Sequence, residues 1–178
     1  MDTAIVWFRD DLRVRDNPTL ADAVAAAATV VPVYVFDPRR RGETRYGTEK
    51  RGPHRSEFRI ESVHDLRRSL RERGGDLFVR EGAVEEVVPE LADRVGAGAV
   101  FTQTKPATEE LRAERAVRDA LPESSRLERR WTHTLYHLDD LPTRYDSIDD
   151  TFTPWRKDVE RAASVREPVA TPTEVPTP

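Results

Sequence analysis

The feature that most limits what this chain can fold into is an alternation of short apolar runs with longer stretches that are apolar on one side only. Ala4 to Phe8 (AIVWF) is the first run and Val30 to Phe36 (VVPVYVF) the second. Leu77-Phe78-Val79 and Ala99-Val100-Phe101 are the third and fourth. Runs this short, rich in β-branched and aromatic residues, read as strands covered on both faces. Pro32 stands near the start of the second, where a missing donor is tolerated. Arg126 to Trp131 is a fifth candidate, and most of its residues are charged.

Between the runs the pattern turns helical. Asn17-Pro18 supplies an N-cap and a proline at the first helical position, which predicts a helix to about Ala27. A polar, Arg- and Gly-rich loop over residues 37–52 follows the second strand. The longest helix is predicted from His54 to Arg73, with Ile60, Val63, Leu66 and Leu70 on one face and Gly74-Gly75 as its stop. Val84, Val87, Val88, Leu91 and Val95 recur at helical spacing, and Pro89 either kinks that helix or marks its first turn. Thr108 to Leu121 forms a fourth helix, with Glu109 and Glu110 in the first turn, where the dipole favours anions. A last short helix runs from about Phe152 to Ala163.

Connections of this length join parallel strands. The expected fold is therefore α/β, a Rossmann-like five-stranded parallel sheet with helices on both faces. Val6, Phe8, Val33, Val35, Phe78, Val79 and Val100 are its expected buried strand residues. Residues 1–163 make up the domain, and 164–178, with four prolines in the last eleven residues, read as a Pro-rich tail or linker. Ligands on such sheets bind beyond the carboxyl ends of the strands at a switch point. The candidate rim is thus the set of segments after Phe8, Phe36, Val79 and Phe101.

Composition narrows the function. A net charge of −4 argues against a stand-alone nucleic-acid binder, which carries a basic excess. No run approaches the roughly 18 apolar residues of a membrane helix, and the start passes directly into a strand without a secretory signal, so a cytoplasmic location is expected. With no cysteine there is no thiolate chemistry. No GxGxxG follows the first strand, and neither GxxxxGK[ST] nor GxSxG occurs. His133 and His137 are four apart, but on a strand-and-loop stretch with no third ligand near, so no metal site is expected.

What remains is a charge-dense turn, Arg9 to Pro18, in which opposite charges interleave before the helix cap. Such a turn serves either to fix strand against helix or to touch a ligand. Here the residues become specific. VWFRDDLRVRDNPTL resembles the opening motif of photolyases and cryptochromes, a strand ending in W-F-R followed by DLR and DN-x-x-L. VVPVYVFDPR, YGTEKRGPHRSEFRIESVHDLRRSLRERGGDLFVREG, TLYHLDDLP and DTFTPWRKDVE follow in the family's order, covering roughly residues 3 to 160. The YG…K-x-G…R-x-x-F-x-IES and TLYHLDDLP stretches lean toward the DASH cryptochromes.

The resemblance implies an amino-terminal α/β domain that holds or flanks an antenna chromophore, a methenyltetrahydrofolate or a deazaflavin. In the family, the helical domain that follows binds FAD, the DNA lesion and the electron-transfer tryptophans. FAD and catalytic residues are accordingly expected outside this chain, and photo-lyase activity is not expected of it alone. Trp7, Trp131 and Trp155 read as packing residues. The expected partner is an FAD-binding photolyase domain, in cis or in trans; direct nucleic-acid or membrane contact by this domain is not expected.

Matched position by position, the antenna pocket maps onto Phe36, Asp37, Arg55, Thr104 and Lys105. Lys105 departs from the pattern, since similar antenna-binding members carry an acid there that accepts from the chromophore. A lysine offers donors only. It disfavours folate or deazaflavin held in the usual way and favours an anionic ligand such as a flavin nucleotide; a glutamate restored there is expected to strengthen folate binding. The rival reading is a non-catalytic interaction module with a vestigial pocket.

Overall fold

The computed structural model describes residues 1–40, 42–43, 46–148 and 150–178, so Arg41, Thr44 and Arg45 of the predicted polar loop and Asp149 lie outside the described residues. The five runs form one parallel sheet: β1 (Thr3–Phe8), β2 (Thr29–Phe36), β3 (Phe78–Glu81), β4 (Ala99–Gln103) and β5 (Arg126–Arg130). Their spatial order is β3-β2-β1-β4-β5, with Trp7 opposite Val33 on one side and Thr102 on the other. The chain therefore winds outward from β1 to β3, crosses back, and winds outward again through β4 to β5. The reversal falls between β1 and β4.

The helices follow from that winding. α1 (Pro18–Ala26) and α2 (Pro53–Arg71) cover one face, α3 (Val84–Arg94) and α4 (Thr108–Ala120) the other. β1 shows the two-residue period that feeds both layers. Ala4, Val6 and Phe8 pack with Leu20, Ala23, Val63, Leu66 and Leu70; Ile5 and Trp7 pack with Val84, Val88, Ala92 and Val117. A shorter helix, α5 (Phe152–Ala162), lies beyond β5 in the chain and buries Val159.

Two expectations about the elements need correction, and the open reading of Pro89 is decided. Ile60 is 49% exposed, because it falls off the stripe formed by Val63, Leu66 and Leu70. Phe78 and Val79 are only half-buried, since β3 is an edge strand with one neighbour. Pro89 sits at the sixth position of α3, past the first turn, where the bond it forgoes is the one to the Glu85 carbonyl. The charged fifth strand is explained by its own pairings: Arg126 donates to Glu128 at 2.7 Å and Arg130 to Asp22 at 2.5 Å, leaving Leu127 to face the α3–α4 layer. Charge on an edge strand discourages further pairing.

Residues 164–178 form no helix or strand, in keeping with their prolines, but they are stapled across the α1–α2 face. Arg166 forms a bidentate pair with Asp140 (2.6 and 2.9 Å), and the Val169 N–H donates to Asp16 at 2.9 Å. Val175 is fully buried in the α1–α2 layer and donates to the Arg73 carbonyl at 2.8 Å. The Pro176 carbonyl accepts from Val30 at 2.7 Å, at the start of β2. A Cβ on residue 75 would lie 3.0 Å from the Val175 carbonyl oxygen, so any larger residue there would press the Val175 segment outward by a few tenths of an ångström. Among the described residues no helix is long and apolar enough to cross a membrane.

Candidate functional site

The site begins at the carboxyl end of β1, where the sheet order reverses. Arg9 leaves the strand on the α4 side and meets Glu114 in a buried ion pair. Its guanidinium also donates to the Gln103 carbonyl at 3.0 Å and the Glu110 carbonyl at 3.3 Å, and lies 4.9 Å from the Trp7 ring centre. Burial lowers the Arg9 pKa, with Glu114 opposing that effect. The Glu114 carboxylate further accepts from the Thr104 hydroxyl and the Lys105 N–H, both at 3.0 Å. One buried glutamate thus ties the turn after β4 to the end of β1.

The interleaved charges after Arg9 divide between two tasks. Asp11 turns inward and accepts from the Arg9 N–H at 3.0 Å; burial raises its pKa. Asn17 donates to the carbonyls of Asp11 and Arg13 (3.2 and 2.9 Å) and caps α1 by accepting from Leu20 at 3.1 Å. Arg13 closes the turn onto the carbonyls of Arg15 and Asp16. Asp10 faces the other way, into a cleft of about 580 Å³.

That cleft has a floor of paired charges. The Lys105 ammonium contacts Asp10 and lies 3.6 Å from Glu110. Arg59 reaches Asp10 at 2.5 Å and donates to the Arg9 carbonyl at 2.9 Å. Burial lowers the Lys105 pKa despite Glu110. One wall is Arg39, bridging Asp37 (2.9 Å from Nε) and Glu85 (2.6 Å); the other is Lys50 against Glu109 at 3.3 Å. Burial works to raise Asp37, and the hydrogen bonds and charge of Arg39 outweigh it, leaving Asp37 below its ordinary range. Arg40, Arg51, Arg55 and Arg112 also line the cleft, and none has a carboxylate partner within ion-pair distance among the described residues.

Of the five residues matched to an antenna pocket, Asp37, Arg55 and Lys105 converge on this cleft. Phe36 and Thr104 do not line it. Phe36 packs against the α1–α2 layer, edge-on to Tyr34 at 4.8 Å, and the Thr104 hydroxyl is committed to Glu114. Lys105, expected to present positive charge to a ligand, is neutralised by Asp10 and Glu110. Sequence patterning missed Glu114, one of several glutamates along a polar helix, because its burial depends on Arg9 arriving from 105 residues away.

A doubly wound parallel sheet with a polar cleft at its reversal point defines the broad class, a Rossmann-like α/β domain. The chain belongs to the DNA photolyase family, whose sequence pattern matches residues 4–177. It is 65% identical to a cryptochrome DASH of Natronomonas pharaonis over all of this chain and 38% of that protein. It is 45% identical to a cryptochrome DASH of Gloeobacter violaceus, over 98% of this chain and 35% of that protein. The crystal structure of a Synechocystis sp. PCC6803 cryptochrome superimposes with a TM-score of 0.96 at 35% identity, over 100% of this chain and 38% of that one. An archaeal photolyase from Sulfolobus tokodaii, solved with two FAD molecules, shares the fold at TM-score 0.81 and 24% identity, over 99% of this chain and 38% of that one. The chain spans about two fifths of the length of these relatives.

Proposed function

We propose that this domain binds an antenna chromophore or a related nucleotide-like ligand in the cleft beyond β1 and β4, and so supports a blue-light flavoprotein of DNA repair or photoreception. The observation that carries the reading is the convergence of Asp37, Arg55 and Lys105 on one cleft at the sheet's reversal point. Its volume of about 580 Å³ suits one small ligand. The S. tokodaii relative, solved with two FAD molecules and described with a light-harvesting cofactor, lends support. The FAD that does the photochemistry belongs to a helical domain outside residues 1–178, joined in cis or in trans.

The 178-residue chain is therefore expected to bind a chromophore without repairing pyrimidine dimers in blue light. Titration with methenyltetrahydrofolate, a deazaflavin and FMN, followed by fluorescence, tests the first part. Saturable one-to-one binding of at least one supports the reading. Failure of all three would leave the interaction module with a vestigial pocket in its place.

A further inference from the structure

We infer that the cleft recognises its ligand through a phosphate group seated on the guanidiniums of Arg40, Arg51 and Arg55, which have no carboxylate partner among the described residues. This rests on the reading of the cleft as a ligand site and names the chemistry it selects. Apart from Arg112, which is exposed on α4, the cleft's other cations already have partners: Arg39 with Asp37 and Glu85, Lys50 with Glu109, and Arg59 and Lys105 with Asp10. Among the lining carboxylates only Glu49 lacks an ion pair within the described residues. The surplus in the cleft is cationic, in a chain whose net charge is −4.

The arrangement is costly unless an anion completes it. Arg40 and Arg51 are half-buried, and Arg51 is pulled below its ordinary pKa by burial first and then by Arg59, with Arg55 and Arg40 adding to the repulsion. Arg55 stands in the first turn of α2, whose cap, Gly52, has no side chain and whose first turn carries no acid. A cation there opposes the helix dipole, whereas α3 and α4 open on Glu85-Glu86 and Glu109-Glu110. A phosphate answers these features together. It carries up to two negative charges and three acceptor oxygens, and guanidiniums bind it through paired N–H donors. A neutral ring or a single amide would leave the repulsion in place.

The test separates ring from phosphate by titrating the 178-residue chain with two matched pairs, FMN against riboflavin and AMP against adenosine. The phosphorylated member of each pair should bind about tenfold tighter or more, with the advantage shrinking as salt rises. Arg51→Gln and Arg55→Gln should each remove most of that advantage, weakening FMN and AMP far more than riboflavin and adenosine. Arg115→Gln, exposed on α4 and outside the cleft, serves as the charge-matched control and should leave the advantage intact. Lys105→Gln should weaken both members of a pair and keep their ratio. Equal binding of FMN and riboflavin would overturn the phosphate assignment and leave the chromophore reading standing. A phosphate advantage lost in Lys105→Gln but kept in Arg51→Gln and Arg55→Gln would overturn it too, in favour of the lysine. Binding of neither ring, with or without phosphate, would overturn both.

Discussion

The two ends of the parallel sheet are closed by different means. At the amino end the backbone does the work. Met1 and Asp2 accept from Ala28 and Thr29, Pro176 accepts from Val30, and Val175 fills the core between them. At the carboxyl end the closing groups are charged side chains: Arg9 on Glu114, Arg59 and Lys105 on Asp10, Arg39 across Asp37 and Glu85. Backbone closure consumes its own donors and acceptors and leaves nothing to offer a ligand. Side-chain closure leaves charges that a ligand can recruit, and the cleft is found there.

The comparison breaks first at Glu114. Glu114→Ala strands the buried Arg9 charge and should cost about 3–5 kcal/mol in urea unfolding. Replacing both partners with apolar residues, Arg9→Met with Glu114→Leu, should recover much of that loss. A cost below about 1 kcal/mol for Glu114→Ala would mean the carboxyl end is not held by its ion pair.

The amino end answers to packing instead. Val175→Ala should cost about 2 kcal/mol, the scale of a buried valine's methyls plus the space they leave. FMN affinity at the far end should not change. A ligand effect from Val175→Ala would show that the two ends are coupled, and the division between them would fail.

Lys105→Glu sharpens the comparison further. A glutamate read from family resemblance alone promises stronger folate binding. In the structure it would crowd a third carboxylate against Asp10 and Glu110. We expect a loss of about 1–2 kcal/mol of stability, the scale of one unit of like-charge coupling, and no gain in folate affinity. Tighter folate binding by this variant would restore the original assignment of the position.

This contrast also explains what could be read from the chain. Strands and helices were legible because their signals are local: AIVWF, the Asn17-Pro18 cap and the Val63, Leu66, Leu70 stripe each act within one element. Asp37, Arg55 and Lys105 were legible through family motifs, and the fold brings them to one cleft. The docking of residues 164–178 was not, because nothing in TPTEVPTP distinguishes a valine that enters a core from one in a free linker. Nor were the paired states of Lys105 and Glu114, which depend on partners 95 and 105 positions away. Phe36 and Thr104 lie outside the cleft's lining, Phe36 edge-on to Tyr34 and Thr104 bonded to Glu114.

The smallest expected effect lies at the amino end, where Asp76 accepts from Arg67 (2.7 Å) and Arg71 (3.1 Å) just before β3. The Arg67 hydrogen bond, ahead of Arg71 and the Leu77 N–H, holds Asp76 well below the ordinary carboxylate range. Its folded pKa is therefore depressed from an unfolded value of about 3.9. The stability it contributes is present above that pH and is lost as pH falls through the folded value. Because Asp76 is 38% exposed, solvent screens the pair, and Asp76→Asn should cost under about 1 kcal/mol at pH 7. The gap between wild type and variant should close on acidification and also in molar salt. The deficit of Glu114→Ala, being buried, should persist in the same salt. Urea midpoints for both variants at low and high salt decide the matter. If salt erases the Glu114 deficit as readily as the Asp76 one, the carboxyl-end charges are solvated in the way the amino-end charges are, and they hold no reserve for a ligand.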